Sequence, residues 1–387
     1  MHKTKSSYGN KIITFSAIAL VIFGSLMIAS AEMGNSVGDT EYLSGEIFRQ
    51  VIYAIASIIL YFISMRLKMY KLSYTLYYGL YVALIGALFA CRLFPPVGGA
   101  YAWIRFAGFT VQPSEFAKVF MILFGAKLLG KDHKKKNYNN LIIFGGTSIF
   151  CALVIFLVQN DFGSAFVLAA ICYFVALVPT HKETAKIRKV MLIILIAGLA
   201  FIPLIFTGAF SAFLKKLPQS YMVGRFLAAA DPFLYRYDNG YHVIMALVSF
   251  ANGGIFGLGY GNSIHKYMNF PNPSNDFILP VIVEELGIIG FAGLLIGYCL
   301  MLIPLMRASF KAKYLSSKLV YIGVFTYFVV HFILNVGGVS AFIPLTGVPL
   351  LLISSGGSSL VASMMGLGFA QSEIIRNRKI DDEDNSR

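Results

Sequence analysis

The residues with chemistry to offer fall into three short stretches. In the first, Gln112-Pro113-Ser114-Glu115 leads to Lys118, and Gly98-Gly99 through Trp103 to Arg105 lies just upstream. Pro113 suits the first turn of a helix, and Glu115 falls where the helix dipole favours an anion. Glu115 and Lys118 are three apart, so they can pair on one helix face. That pair can simply seat the helix, or it can hold an ammonium on the wall of a cavity that receives a phosphate. Trp103, the single tryptophan, reads equally as an interfacial anchor or a site residue. The second stretch is Gln159-Asn160-Asp161, where Asp161 can cap the next helix or join a polar site with Gln159.

The third stretch runs from Phe270 through Asp276 to Glu284-Glu285-Leu286-Gly287. Asp276 opens an apolar run, as a plain N-cap or as a reactive carboxylate. Glu284 and Glu285 follow about 12 Å along the same helix, pointing about 100° apart, so they call for different partners. Arg225, Asn262 and Lys266 precede them and can meet the outer helix ends. Cations that hold a diphosphate, beside a carboxylate that takes a proton from a hydroxyl, suit transfer from a lipid-linked diphosphate. A flippase or a proton-coupled transporter is open on the same residues.

These groups sit in a chain that is apolar almost throughout. Of 387 residues, 57% are hydrophobic and 13% charged, against about 25% charged in a soluble domain. Disorder and a disulfide scaffold are excluded by the same composition. Ten apolar runs, near 12–32, 47–65, 74–93, 115–130, 141–158, 163–179, 190–209, 277–304, 319–337 and 350–371, predict an all-α polytopic membrane protein with about ten transmembrane helices. The alternation of a membrane barrel is absent. The first run ends Ala29-Ser30-Ala31, like a signal-peptidase site, but is longer than a signal's apolar core and is read as retained. With both termini inside, most of the 32 Lys and Arg, including Lys3, Lys5 and Lys134-Lys135-Lys136, fall in inner segments. The net charge of +14 is thus a positive-inside signal, and no nucleic acid is called for.

The chain reads as a single integral membrane domain over 1–387, with a large extracellular loop at 210–276 and a short cytoplasmic tail at 372–387. The loop is expected to hold short helices and re-entrant pieces. Its glycines, Gly253-Gly254 and Gly257 to Gly261, lack the lysine and strand of a P-loop and read as tight turns. Cys91, Cys151, Cys172 and Cys299 read as small core residues, and the six histidines show no zinc spacing.

Along 12–375 the chain resembles the SEDS family (shape, elongation, division and sporulation) of RodA, FtsW and SpoVE proteins. The resemblance rests on Trp103-Ile104, Gln112-Pro113-Ser114-Glu115 with Lys118, and Gln159 with Asp161 and Gly163. It continues through Gly261-Asn262-Ser263 with Lys266, Asp276-Phe277-Ile278, Glu284-Glu285-Leu286-Gly287 and Pro344 to Pro349, and ends in Ser354-Ser355-Gly356-Gly357-Ser358-Ser359. It implies a SEDS-type fold and a peptidoglycan glycosyltransferase that polymerises lipid II, the undecaprenyl-diphosphate-linked disaccharide peptide, at the outer face of the bacterial cytoplasmic membrane. Asp276 falls on the family's catalytic aspartate, and Glu115 with Lys118 on its cavity pair. Implied partners are a class B penicillin-binding protein, other elongation or division complex proteins and membrane lipids. The implied cofactor is a divalent cation, Mg or Mn, for which Asp276 is one possible ligand. Lipid II flippase and non-catalytic scaffold are the alternatives.

Overall fold

Each of the ten apolar runs contains most or part of one long helix, as expected where backbone groups cannot stay unpaired in a bilayer. The structure, a computed structural model, describes residues 9–385 except 36–38, 107–108, 132–136, 202, 204–206, 217–220, 238, 269 and 271. Lys3, Lys5 and Lys134-Lys135-Lys136 lie outside the described residues. The helices are α1 (Lys11–Asn35), α2 (Thr40–Arg66), α3 (Tyr74–Ala90), α4 (Pro113–Leu129), α5 (Asn137–Leu157), α6 (Phe162–Leu177) and α7 (Ala185–Phe201). After the loop helices α8 (Gly208–Leu214), α9 (Tyr221–Ala230) and α10 (Asn239–Gly253) come α11 (Ile278–Phe310), α12 (Leu315–Val339) and α13 (Gly357–Asn385). Among them α1, α2, α5, α11, α12 and the stretch Tyr74–Leu93 are long and apolar enough to cross a membrane. The others that match apolar runs are shorter or, like α13, turn polar at one end.

Three expectations change. A small antiparallel hairpin, β1 (Ile104–Phe106) with β2 (Phe109–Val111), interrupts the all-helical plan just before α4. The last run does not start as a helix: 350–356 is a buried turn with Leu352 in the left-handed region, and α13 begins at Gly357. The segment taken as a tail continues α13 to Asn385 and is fastened to the bundle. There Ser372 donates to the Leu67 carbonyl, Glu373 accepts from Ser317 at 2.6 Å, and Arg376 lies over the rings of Tyr70 and Tyr314.

The core is built on α4, α12 and α13, with α1 packed on α11 and α2 on α13. At the edge, α7 buries none of its residues. Cys91, Cys151 and Cys172 are buried, as their apolar neighbours imply, whereas Cys299 is exposed on α11.

At its glycines the long loop turns back onto α11. Gly287, with φ of 67°, breaks α11 into two pieces. The break frees backbone groups that the loop then satisfies. Leu258 and Gly259 donate to the carbonyls of Glu284 and Glu285, both at 2.9 Å, while Ile288 and Ile289 donate to Gly254 and Ile255. A side chain at Gly257 would come within 2.2 Å of the Glu285 carbonyl, so glycine is required by close approach and not by a bound phosphate.

Candidate active site

A cavity of about 1780 Å³ opens among α2, α4, α6, α7, α12, the hairpin and the loops before α11 and α13. Its polar part is assembled from residues far apart in sequence. Pro113 starts α4 as expected, and places Glu115 and Lys118 on the cavity wall. Their ion pair measures 2.6 Å with both side chains 1% exposed. Burial of a charge pair at this depth demands further hydrogen bonds. Tyr327 supplies one, donating to the second Glu115 oxygen at 2.9 Å. His331 supplies another: its Nδ1–H donates to the Pro349 carbonyl at 3.0 Å, which leaves Nε2 to accept from the Lys118 ammonium at 3.3 Å.

Asp276 lines the same cavity, half-buried at the entry to α11. It is not the cap: Phe277 holds that position and no side chain caps the helix. A side chain at Gly347 would come within 3.8 Å of both the Asp276 carboxylate and the Arg225 guanidinium, so the two groups converge over this glycine. Burial raises the Asp276 carboxyl to about 6, opposed by its own backbone N–H and by Arg225. Asn335 donates through one amide nitrogen to the carbonyls of both Asp276 and Val348, each at 2.9 Å.

Asp161 is the helix cap its sequence allowed, and its polar partner is Gln112, not Gln159. It caps α6 by accepting from the Ser164 N–H at 2.9 Å, and its other oxygen accepts from Gln112 at 3.1 Å on the cavity wall. Ser358 lines the cavity and joins α13 to the start of α4, accepting from the Gln112 N–H at 2.9 Å. Trp103 and Arg105 line it from the hairpin region. Away from these groups the wall turns apolar, with Phe166 and Phe174 of α6 and Leu195 and Leu199 of α7.

Five candidates lie elsewhere. Gln159 is fully buried behind the wall, where its amide donates to the Leu88 carbonyl and its backbone carbonyl accepts from Tyr101. Asn262, Lys266, Glu284 and Glu285 do not line the cavity. Glu284 accepts from Ser263 at 2.5 Å and lies 2.6 Å from the His265 ring nitrogen. Glu285 accepts from Ser30, Lys266 and the Gly261 N–H. The two carboxylates do face different partners, but those partners fasten the loop to α11 and α1. Asn262 closes its own turn on the Leu258 carbonyl.

Sequence reading passed over His331, Asn335 and Thr346. Thr346 lines the cavity, and its buried hydroxyl has no hydrogen-bond partner among the described residues. The available signal was spacing: Tyr327, His331 and Asn335 recur every four residues in an apolar helix, placing three polar groups on one face. For a metal, no group of three His, Cys, Asp or Glu side chains occurs among the described residues. With Arg225 also beside Asp276, the donor set does not fit a resident cation.

The family model FTSW_RODA_SPOVE, described as "Cell cycle protein", matches residues 10–379. The chain is 32% identical to the probable peptidoglycan glycosyltransferase FtsW of Bacillus subtilis (strain 168), over 95% of this chain and 91% of the relative. It is 27% identical to stage V sporulation protein E of the same organism, over 94% and 96%. Two solved structures share the fold. One, described as "Structural coordination of polymerization and crosslinking by a peptidoglycan synthase complex", aligns with TM-score 0.68 and 24% identity over 96% of this chain and 98% of that one. The other, the rod shape determining protein RodA of Thermus thermophilus, aligns with TM-score 0.58 and 23% identity over the same shares.

Proposed function

The chain belongs to the FtsW, RodA and SpoVE family of cell cycle proteins, and from that premise we propose how its cavity makes glycan. It is a multi-pass membrane protein and a peptidoglycan glycosyltransferase. The donor is a glycan on undecaprenyl diphosphate and the acceptor is lipid II. Asp276 removes the proton from the acceptor GlcNAc 4-hydroxyl, and that oxygen attacks the MurNAc anomeric carbon from the face opposite the leaving group. The carbon–oxygen bond to the diphosphate breaks, undecaprenyl diphosphate departs with the electron pair, and a β-1,4 bond forms with inversion. The proton rests on Asp276 and the new negative charge on the diphosphate, where Lys118 and Arg225 oppose it.

The observation that carries this reading is the convergence of Asp276, Arg225, Lys118 and Thr346 on one cavity whose walls continue as apolar helix faces. A sugar diphosphate fits the first part, and an isoprenoid the stretch between α6 and α7. A lipid II flippase would need free coupling carboxylates, but Glu284 and Glu285 are bound to the loop. A scaffold would have no use for charged groups turned into a cavity. A divalent cation rests on family resemblance alone. It would have to draw most of its ligands from diphosphate and water, and no step above depends on it. The outer face of the cytoplasmic membrane as the place of synthesis, both termini cytoplasmic and a class B penicillin-binding protein as partner complete the proposal.

The test is polymerisation of labelled lipid II in detergent by purified protein, with and without the penicillin-binding partner. Polymer is expected from the wild type and none from Asp276→Ala of equal thermal stability. Normal polymer from Asp276→Ala would overturn the assignment of the base.

A further inference from the structure

A single face of α12 touches both halves of the reaction centre. Tyr327, His331 and Asn335 stand four residues apart, so the side chains stack along the helix at about 6 Å per step. Tyr327 holds Glu115 at 2.9 Å, and its ring meets His331 edge-on at 4.9 Å between centroids. His331 holds Lys118, and Asn335 holds the Asp276 carbonyl. All three side chains are almost entirely buried. His331 and Asn335 also grip the segment that follows α12, through the carbonyls of Pro349 and Val348. That segment contains left-handed Ala341, Gly347 and Leu352, and non-glycine residues in this region store strain unless neighbours hold them.

Building on the cavity reading above, we propose that the α12 face Tyr327-His331-Asn335 is a positioning spine that sets the diphosphate-binding ammonium and the catalytic carboxylate in register. Lys118 has three N–H groups. Glu115 and His331 take two, and tetrahedral geometry then directs the third to a ligand in the cavity. His331 can do this only as the neutral tautomer fixed by the Pro349 carbonyl. Asn335 fixes the backbone of Asp276, and so the reach of its carboxylate toward the acceptor hydroxyl. None of the three spine residues transfers a proton; each acts through the group it holds. Because His331 serves the anion and Asn335 serves the base, their losses separate in kinetics.

The experiment measures kcat for lipid II polymerisation and the inhibitory constant of inorganic pyrophosphate on the full-length protein, alongside its thermal transition. His331→Leu is expected to weaken pyrophosphate inhibition tenfold or more, with a smaller change in kcat. His331→Gln, which can still donate to Pro349 and accept from Lys118, is expected to stay within threefold of wild type. Asn335→Leu is expected to lower kcat tenfold or more with inhibition within threefold of wild type. Should either leucine variant lose its thermal transition, His331→Asn and Asn335→Ser shorten the reach while staying polar and are read by the same two quantities. Equal changes of kcat and inhibition in both variants, or no change in either, overturn the spine alone. Wild type without polymer, or Asp276→Ala with polymer, faults the underlying cavity reading instead.

Discussion

The proposed role of Asp276 as a base requires it to be ionised, and its surroundings decide where that happens. Burial favours the neutral acid and lifts the carboxyl from 3.8 to about 6, while Arg225 pulls the other way. The rate is therefore expected to be flat above about pH 7 and to fall about tenfold per unit below pH 6, as Asp276 takes up its proton. A pH profile of kcat checks this, and an acid limb near 4 would contradict it. Arg225→Gln removes the opposing cation, so the same limb is expected to move to higher pH. A limb that stays in place would show that Arg225 does not act on Asp276. Ionisation near 6 suits the task, because a base is most effective when its pKa lies close to the working pH.

At the scale of elements, the broken α11 and the loop that mends it form one unit. Gly287 cannot be helical here, and the freed carbonyls of Glu284 and Glu285 are paired by loop N–H groups. The side chains of the same two glutamates then bind Ser263, His265, Lys266 and Ser30. Lys266 and Glu285 pair at 2.9 Å with no exposure of either side chain. Removing one partner leaves a buried charge, so Glu285→Ala is expected to cost about 3–5 kcal/mol. Thermal unfolding in detergent measures this, and a loss below 1 kcal/mol would mean that water reaches Lys266. Because the pair lies outside the cavity, pyrophosphate inhibition of any Glu285→Ala that stays folded is expected to match wild type.

Across the whole molecule, charge fixes orientation and packing fixes the opening. The basic excess predicts that segment 182–189 faces the cytoplasm and the loop around Asp231 faces outward. With Cys91, Cys151 and Cys172 buried and Cys299 in the span of α11, introduced thiols can report sidedness. Asp231→Cys is expected to react in intact cells with a membrane-impermeant maleimide, and Lys182→Cys only after permeabilisation. The reverse pattern would invert the topology and place the cavity on the wrong side of the membrane. No residue of α7 is fully buried, although Ile187 packs against the core, and its Leu195 and Leu199 line the apolar wall.

Properties that depend on near neighbours could be read from the chain itself. Hydropathy placed ten helices, because a bilayer leaves apolar runs no alternative. Spacing paired Glu115 with Lys118, and local capping chemistry gave Asp161 its helix. The family motifs pointed to Asp276 among several carboxylates. What the chain could not show is which polar groups share a cavity. Asn262, Lys266, Glu284 and Glu285 belong with the loop anchor, Gln159 lies behind the wall, and His331 and Asn335 hold the centre together. Several of these outcomes turn on contacts between distant segments, such as Gln159 with Leu88, Ser30 with Glu285 and His331 with Lys118. Local sequence sets the period of a helix, but only the packing of neighbouring helices sets which way each face points.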